Sequence, residues 1–108
     1  MEQLKRELTE RYISTIKECK RLGYPPRYFT DMLISDDDVV EVTRRLVCKE
    51  GGTDGYRKLY EMGRLDLTVE NIILEPRFRV LFSLEVLQAA YNQLKLCEYD
   101  GLSKIEAP

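Results

Sequence analysis

The sequence predicts an all-α fold, a compact bundle of five or six helices with short helices at its corners, and three observations predict it. Apolar side chains recur at intervals of three and four between charged ones in several segments, which is the period of one helix face. Ser, Thr or Asp heads these segments, where a side-chain oxygen can satisfy the free amides of a first turn. Gly or Pro closes them, and no linker, repeat or low-complexity tract divides the 108 residues. At that length a single domain buries about 60 to 68% of its unfolded surface without a metal or disulfide staple. Residues 1–100 are expected to form it, with 101–108 as a frayed C-terminal tail.

The first helix covers residues 2–22, with Leu4, Leu8, Tyr12, Ile16 and Cys19 on its inner face and Gly23 as its stop. Glu2 with Arg6 and Glu7 with Arg11 stand four apart in the favourable order. Tyr24-Pro25-Pro26 turns a corner, because proline lacks an amide hydrogen and pushes its predecessor toward extended backbone. A short helix from Arg27 to Ile34 then presents Tyr28, Phe29, Met32 and Leu33. Ser35 with Asp36, Asp37 and Asp38 opens a stronger helix holding Val39, Val42 and Leu46 and ending at Gly51-Gly52. Its valines also suit a strand, but Glu41, Arg44 and Arg45 fall on a helix's outer face.

Thr53 caps the next helix, with Tyr56, Leu59, Tyr60 and Met62, closed by Gly63. Thr68 caps another, with Val69, Ile72, Ile73 and Leu74, broken at Glu75-Pro76. A turn holding Phe78, Leu81 and Phe82 leads to Ser83, which caps the cleanest helix of the chain: Leu84, Leu87, Ala90, Tyr91, Leu94 and Cys97, ended by Asp100-Gly101.

Composition removes many chemistries. With no histidine, any mechanism needing an imidazole base, shuttle, ligand or pH switch is excluded. Seventeen basic against nineteen acidic residues give a net charge of −2, without the basic excess of a whole-domain polyanion binder. Cys19, Cys48 and Cys97 form neither a C-x-x-C pair nor a zinc set and read as free thiols in a reducing compartment. A charged N-terminus and no apolar run near ~18 residues point to a cytoplasmic protein without a membrane segment. No catalytic group, metal ligand or cofactor site is predicted.

Four constellations remain. Asp36, Asp37 and Asp38, with Asp31 and Glu41, are the densest acidic cluster; three consecutive helical residues point three ways, so they read as N-terminal charges complementing the helix dipole. Gly51-Gly52-Thr53-Asp54-Gly55 before Arg57 and Lys58 could present amides to a phosphate, but it lacks the Gly-Lys-Ser/Thr of a Walker loop, and Asp54 would repel the anion. A plain connection is favoured there.

Leu59 to Leu74 has the glycine turn of a helix-turn-helix, with residues 68–74 as the helix reading DNA, Thr68 and Asn71 on it, and Arg57, Lys58 and Arg64 near phosphates. Arg64 stands where an apolar residue is usual, and Glu70 and Glu75 would approach the backbone phosphates. Arg21, Tyr24, Arg27, Tyr28 and Phe29 interleave aromatic and basic side chains, a pattern of partner surfaces. Charge is polarised along the chain: residues 1–30 carry seven basic and four acidic side chains, residues 31–55 three and seven.

The segment Gly55-Tyr-Arg-Lys-Leu-Tyr-Glu-Met-Gly63-Arg-Leu-Asp-Leu-Thr-Val-Glu70, followed by Phe78 and Leu81-Phe82-Ser83, resembles a pattern in small uncharacterised bacterial helical proteins, a domain of unknown function. The resemblance implies a bacterial helical domain and a structural job for the motif, with Thr68 as helix cap and Asp66 holding the turn; it carries over no catalytic residue. The expected function is binding to another protein, or self-association, through residues 21–29, with the helix-turn-helix regulator as the alternative. Nucleic acid is a less favoured partner.

Overall fold

The computed structural model describes residues 1–49 and 54–108, and every regular element among them is helical. In chain order these are α1 (Glu2–Arg21), α2 (Arg27–Ser35), α3 (Val39–Val47), α4 (Asp54–Glu61), a 3-10 turn (Leu65–Leu67), α5 (Val69–Ile73), α6 (Pro76–Arg79), α7 (Leu84–Leu96) and a second 3-10 turn (Asp100–Lys104). The all-α expectation holds. The short helices expected at the corners include the turns at Leu65 and Pro76. The strand reading of the valine-rich segment fails, since α3 carries those valines. The Gly51-Gly52 stop and the Thr53 cap lie outside the described residues.

α1 buries Leu8, Tyr12, Thr15, Ile16 and Cys19, the stripe its periodicity requires. Its end is a Schellman motif: Gly23 sits at φ +88°, its amide donates to the Lys20 carbonyl, and the Tyr24 amide donates to the Cys19 carbonyl. Gly63 at φ +70° ends α4 in the same way, with Arg64 donating to Leu59. The expected pairs Glu2 with Arg6 and Glu7 with Arg11 do not form: Glu2 meets Lys5 within α1 at 3.8 Å, while Glu7 and Arg11 turn to other helices. Arg11 reaches Glu75 at 2.6 Å and Arg77 reaches Glu7 at 3.5 Å, fastening α1 to the junction of α5 and α6.

The acidic triplet divides its work. Asp38, rather than Ser35, caps α3, accepting from the amides of Val40 and Glu41, and Asp36 accepts from the Asp38 amide. Ser35 ends α2, its hydroxyl turned back to the Met32 carbonyl. Asp36 in extended backbone separates the two helices. Thr68 and Ser83 cap α5 and α7 as predicted.

α5 is the hub. It packs on α3, α6, α7 and the Leu65–Leu67 turn, while α1 and α2 both lean on α3. Val42, Ile72, Ile73, Phe78 and Leu94 are sealed from solvent around it. Tyr12 is also fully buried; its hydroxyl lies 2.6 Å from that of Thr43, which itself donates to the Val39 carbonyl, so Tyr12 is the donor. The radius of gyration, 12.8 Å, matches the ~13 Å of a packed single domain of this size.

The C-terminal end differs from expectation twice. α7 stops at Leu96, short of Asp100-Gly101, in a third Schellman arrangement built on Glu98 at φ +53°, with amides of Glu98 and Tyr99 donating to Lys95 and Leu94. Residues 101–108 are no loose tail: Leu102 and Ile105 pack on the core, and Arg79 donates to the carbonyls of Leu74 and Glu106. The three-residue spacing of Tyr99, Leu102 and Ile105 lays one apolar edge of the 3-10 turn inward.

Left-handed backbone costs a side-chain-bearing residue roughly 1–2 kcal/mol, partly offset in glycine by its freer unfolded chain. Glu98→Gly is therefore expected to stabilise the protein by about 0.5–1 kcal/mol, read as a higher urea midpoint, with Glu98→Ala close to neutral.

Candidate functional site

The corner between α1 and α2 places the five residues expected to meet a partner. Gly23 reverses the chain, Pro25 and Pro26 extend it, and α2 starts at Arg27, so alternate side chains turn out and in. Arg21, Arg27 and Tyr28 face solvent. The Arg21 guanidinium is held by Glu18 through hydrogen bonds of 3.0 and 3.1 Å from Nε, which raises the basicity of the arginine and keeps the Glu18 carboxyl below its usual range. Tyr28 is 54% exposed, and the Lys49 ammonium lies 5.3 Å from its ring centre. Tyr24 and Phe29 turn inward, Phe29 meeting the Tyr12 ring edge-on at 5.1 Å. The structure thus divides the predicted cluster into an outer group of three and an inner group of two.

The inner pair lines a cavity of about 50 Å³ beneath the corner. α1 contributes Thr15 and Cys19 to its wall, α4 contributes Tyr56 and Leu59, and α5 contributes Val69 and Glu70. The lining is chiefly apolar and aromatic, and Glu70 brings the one carboxylate. Its side chain is 3% exposed. Burial pushes its carboxyl up to about 7, against which a hydrogen bond from its own backbone amide works only in part. No lysine or arginine among the described residues compensates it. Tyr12 and Tyr56 lie close enough for the Glu70 charge to add to the upward shift that burial imposes on their hydroxyls. The Tyr56 hydroxyl donates to the Gln93 carbonyl at 3.1 Å. Burial likewise raises the thiol of Cys19 and the phenol of Tyr24.

Beside this cavity runs an open polar groove lined by Arg11, Ser14, Lys17, Glu18, Arg21, Asp66 and Asn71. Its charges are largely matched. Arg64 binds both carboxylate oxygens of Asp66, at 3.0 and 3.1 Å, and comes within 3.9 Å of Glu18.

Of the residues expected to contact DNA, those on the reading helix are not displayed for it. α5, within the proposed reading helix 68–74, has five residues, of which Val69, Glu70, Ile72 and Ile73 are buried. Thr68 is buried as the cap, donating to the Leu65 carbonyl at 2.7 Å and accepting from the Asn71 amide. Asn71 spends its side-chain amide on the Asp66 carbonyl at 3.0 Å. A reading helix must offer a face to the groove, and the packing of α5 removes that face. Arg57 and Lys58 are exposed on α4, while Arg64 is tied to Asp66. Thr68 caps α5, and Asp66 pairs with Arg64 while its carbonyl accepts from the Asn71 side chain.

The phosphate-loop reading rests on residues 51–53, which lie outside the described residues. Among the described residues no three His, Cys, Asp or Glu side chains gather as metal ligands, and no helix is long and apolar enough to cross a membrane. Cys19 is buried, as its helical face implies, whereas Cys97 is only half-buried and Cys48 is exposed; all three are free.

Sequence reasoning missed Glu70 and Tyr56 as site residues. One signal was present: a helix confined between Thr68 and Pro76 with Val69, Ile72, Ile73 and Leu74 inside it is apolar on nearly every side, so an acid within it has no solvent face to occupy. Comparisons with protein-family models, with curated proteins and with solved structures gave no match.

Glu70 makes stability fall as pH rises. Its folded value of about 7 exceeds the ordinary 4.5, so between these pH values the folded state holds more protons than the unfolded one. Its contribution is full below about pH 4.5 and is lost by about pH 7, a change on the order of 3 kcal/mol. Glu41, held down to about 2 by its hydrogen bonds with Arg44 and Arg45, acts with the opposite sign and only under more acidic conditions. Glu70→Gln is expected to flatten the stability profile between pH 5 and 8 and to raise the melting temperature at pH 8. A wild-type melting temperature that is constant across that window contradicts the assignment.

Proposed function

We propose that this chain works by binding another protein, or a second copy of itself, through the corner of α1 and α2, without catalysing a reaction. The observation that carries the reading is α2 itself. It holds Tyr28, Phe29, Met32, Leu33 and Ile34 within nine residues, yet buries none of them fully. The other α-helices among the described residues each bury at least one side chain. An apolar helix seated this shallowly retains area for a partner, and Ile34 at its end is 77% exposed.

Arg21, Arg27 and Tyr28 supply the residue types that concentrate binding energy at protein interfaces, because a flat aromatic ring and a guanidinium each combine apolar area with directed hydrogen bonds. The choice against catalysis rests on the absence of any imidazole and of a recognisable nucleophile and base pair in the sequence. Three free cysteines support a reducing, cytoplasmic setting, and the motif resemblance supports a bacterial one.

The test is affinity capture from cells that naturally make the protein, with and without nuclease, alongside light scattering of the purified chain. A protein partner or a dimer that survives nuclease is expected, with recovery reduced at least tenfold in the Arg27→Ala, Tyr28→Ala double variant. Association unchanged in that variant, or lost wholly on nuclease treatment, overturns the proposal.

A further inference from the structure

We propose that the cavity beneath the α1–α2 corner is a binding site for an alkylammonium group, with the Glu70 carboxylate as its counter-ion and the rings of Tyr24, Phe29 and Tyr56 around it. Three features converge on that chemistry. Glu70 is a deeply buried acid that no cation among the described residues neutralises, and a buried carboxylate is costly unless a charge or strong donors offset it. Glutamine or leucine would fill the same core position more cheaply, so the acid is explained better by a ligand than by packing. Tyr24, Phe29 and Tyr56 line the same cavity, and aromatic rings attract organic cations, the more so where the cation is desolvated.

Size and access agree. The cavity of about 50 Å³ exceeds the roughly 10–15 Å³ that one water requires, leaving room for an ammonium head and the first carbons of its stem. Tyr24, on the wall, is only partly buried. The wall offers no cation to repel the ligand and no second carboxylate to favour a divalent metal. Thr15 adds a hydroxyl to the wall, whereas the hydroxyl of Thr68 is committed to Leu65 and Asn71.

The group can belong to a free amine or to a lysine of a docking protein, and the second source rests on the partner surface proposed above. Both are distinguished by titrating the full-length protein at pH 8 with n-butylammonium and with Nα-acetyl-lysine N-methylamide, followed by NMR of the residues lining the cavity. Saturable shifts at Glu70, Tyr24 and Tyr56 are expected. Binding of both probes, or of the lysine derivative alone, identifies a site open to a peptide side chain; binding of n-butylammonium alone identifies a site for a free amine.

Glu70→Gln is expected to weaken binding at least tenfold while retaining the helical circular dichroism of the wild type, and Tyr24→Leu to weaken it severalfold. Absence of saturable shifts with either probe overturns the site, as does equal binding by the Gln variant or by neutral n-pentanol. Amine binding in a protein that captures no partner leaves this inference standing and ends the previous one; the reverse result does the opposite.

Discussion

The burial of α5 is the constraint on which the other elements depend. A helix of five residues has too few hydrogen bonds to offset its own nucleation, so it persists only because α3, α6, α7 and the Leu65–Leu67 turn enclose it. Thr68 starts it with one hydroxyl serving two bonds, accepting from Asn71 and donating to Leu65. Pro76 stops it and, with its fixed φ and missing amide hydrogen, opens α6. Long helices then wrap a short central one, and ion pairs from Arg11 and Arg77 fasten α1 over the join. Partly exposed pairs of that kind contribute at most ~1 kcal/mol each; apolar contact around Ile72, Ile73 and Phe78 carries the assembly.

Enclosure of α5 also decides what the molecule can offer chemically. It removes the face that a DNA-reading helix would need and carries one carboxylate into an aromatic chamber. The same packing that discourages one function thereby creates the most unusual group in the protein. Matched charges elsewhere, such as Arg64 with Asp66 and Arg44 with Glu41, leave ordinary surface. The α1–α2 corner sits over the chamber, so an exposed aromatic and basic rim and a buried acid belong to one region.

Much of this fold was legible because local chemistry dictated it. The period of Leu8, Tyr12, Ile16 and Cys19, the glycines at 23 and 63, and the caps Thr68 and Ser83 act within a few residues, and each appears where its physics requires. Misreadings arose where partners came from afar. Ser35 and Asp38 are both good caps in isolation, and only the extended backbone at Asp36 chooses between them. The end of α7 was hidden because Glu98, not a glycine, takes the left-handed position. Residues 101–108 looked loose because contacts that order them come from the core and Arg79. At the site, Tyr24 and Phe29 were legible as a cluster, but their division from Arg21, Arg27 and Tyr28 follows from the direction of α2. Glu70 entered the reading only as a carboxylate that would approach phosphates; the apolar surroundings of Thr68 to Pro76 signal its burial, but which aromatic side chains enclose it depends on α1, α2 and α4, distant in sequence.

The account turns on an ionisable carboxyl held in the centre of the fold. Selective ¹³C labelling of glutamate, with Glu70→Gln to assign the signal, allows its side-chain carboxyl to be followed by NMR from pH 3 to 9 in the folded protein. A midpoint near 7 is expected, well separated from the other glutamates. A midpoint at the ordinary 4.5 would show that Glu70 is solvated, that α5 is not enclosed as described, and that the chamber lacks the buried charge on which its chemistry depends.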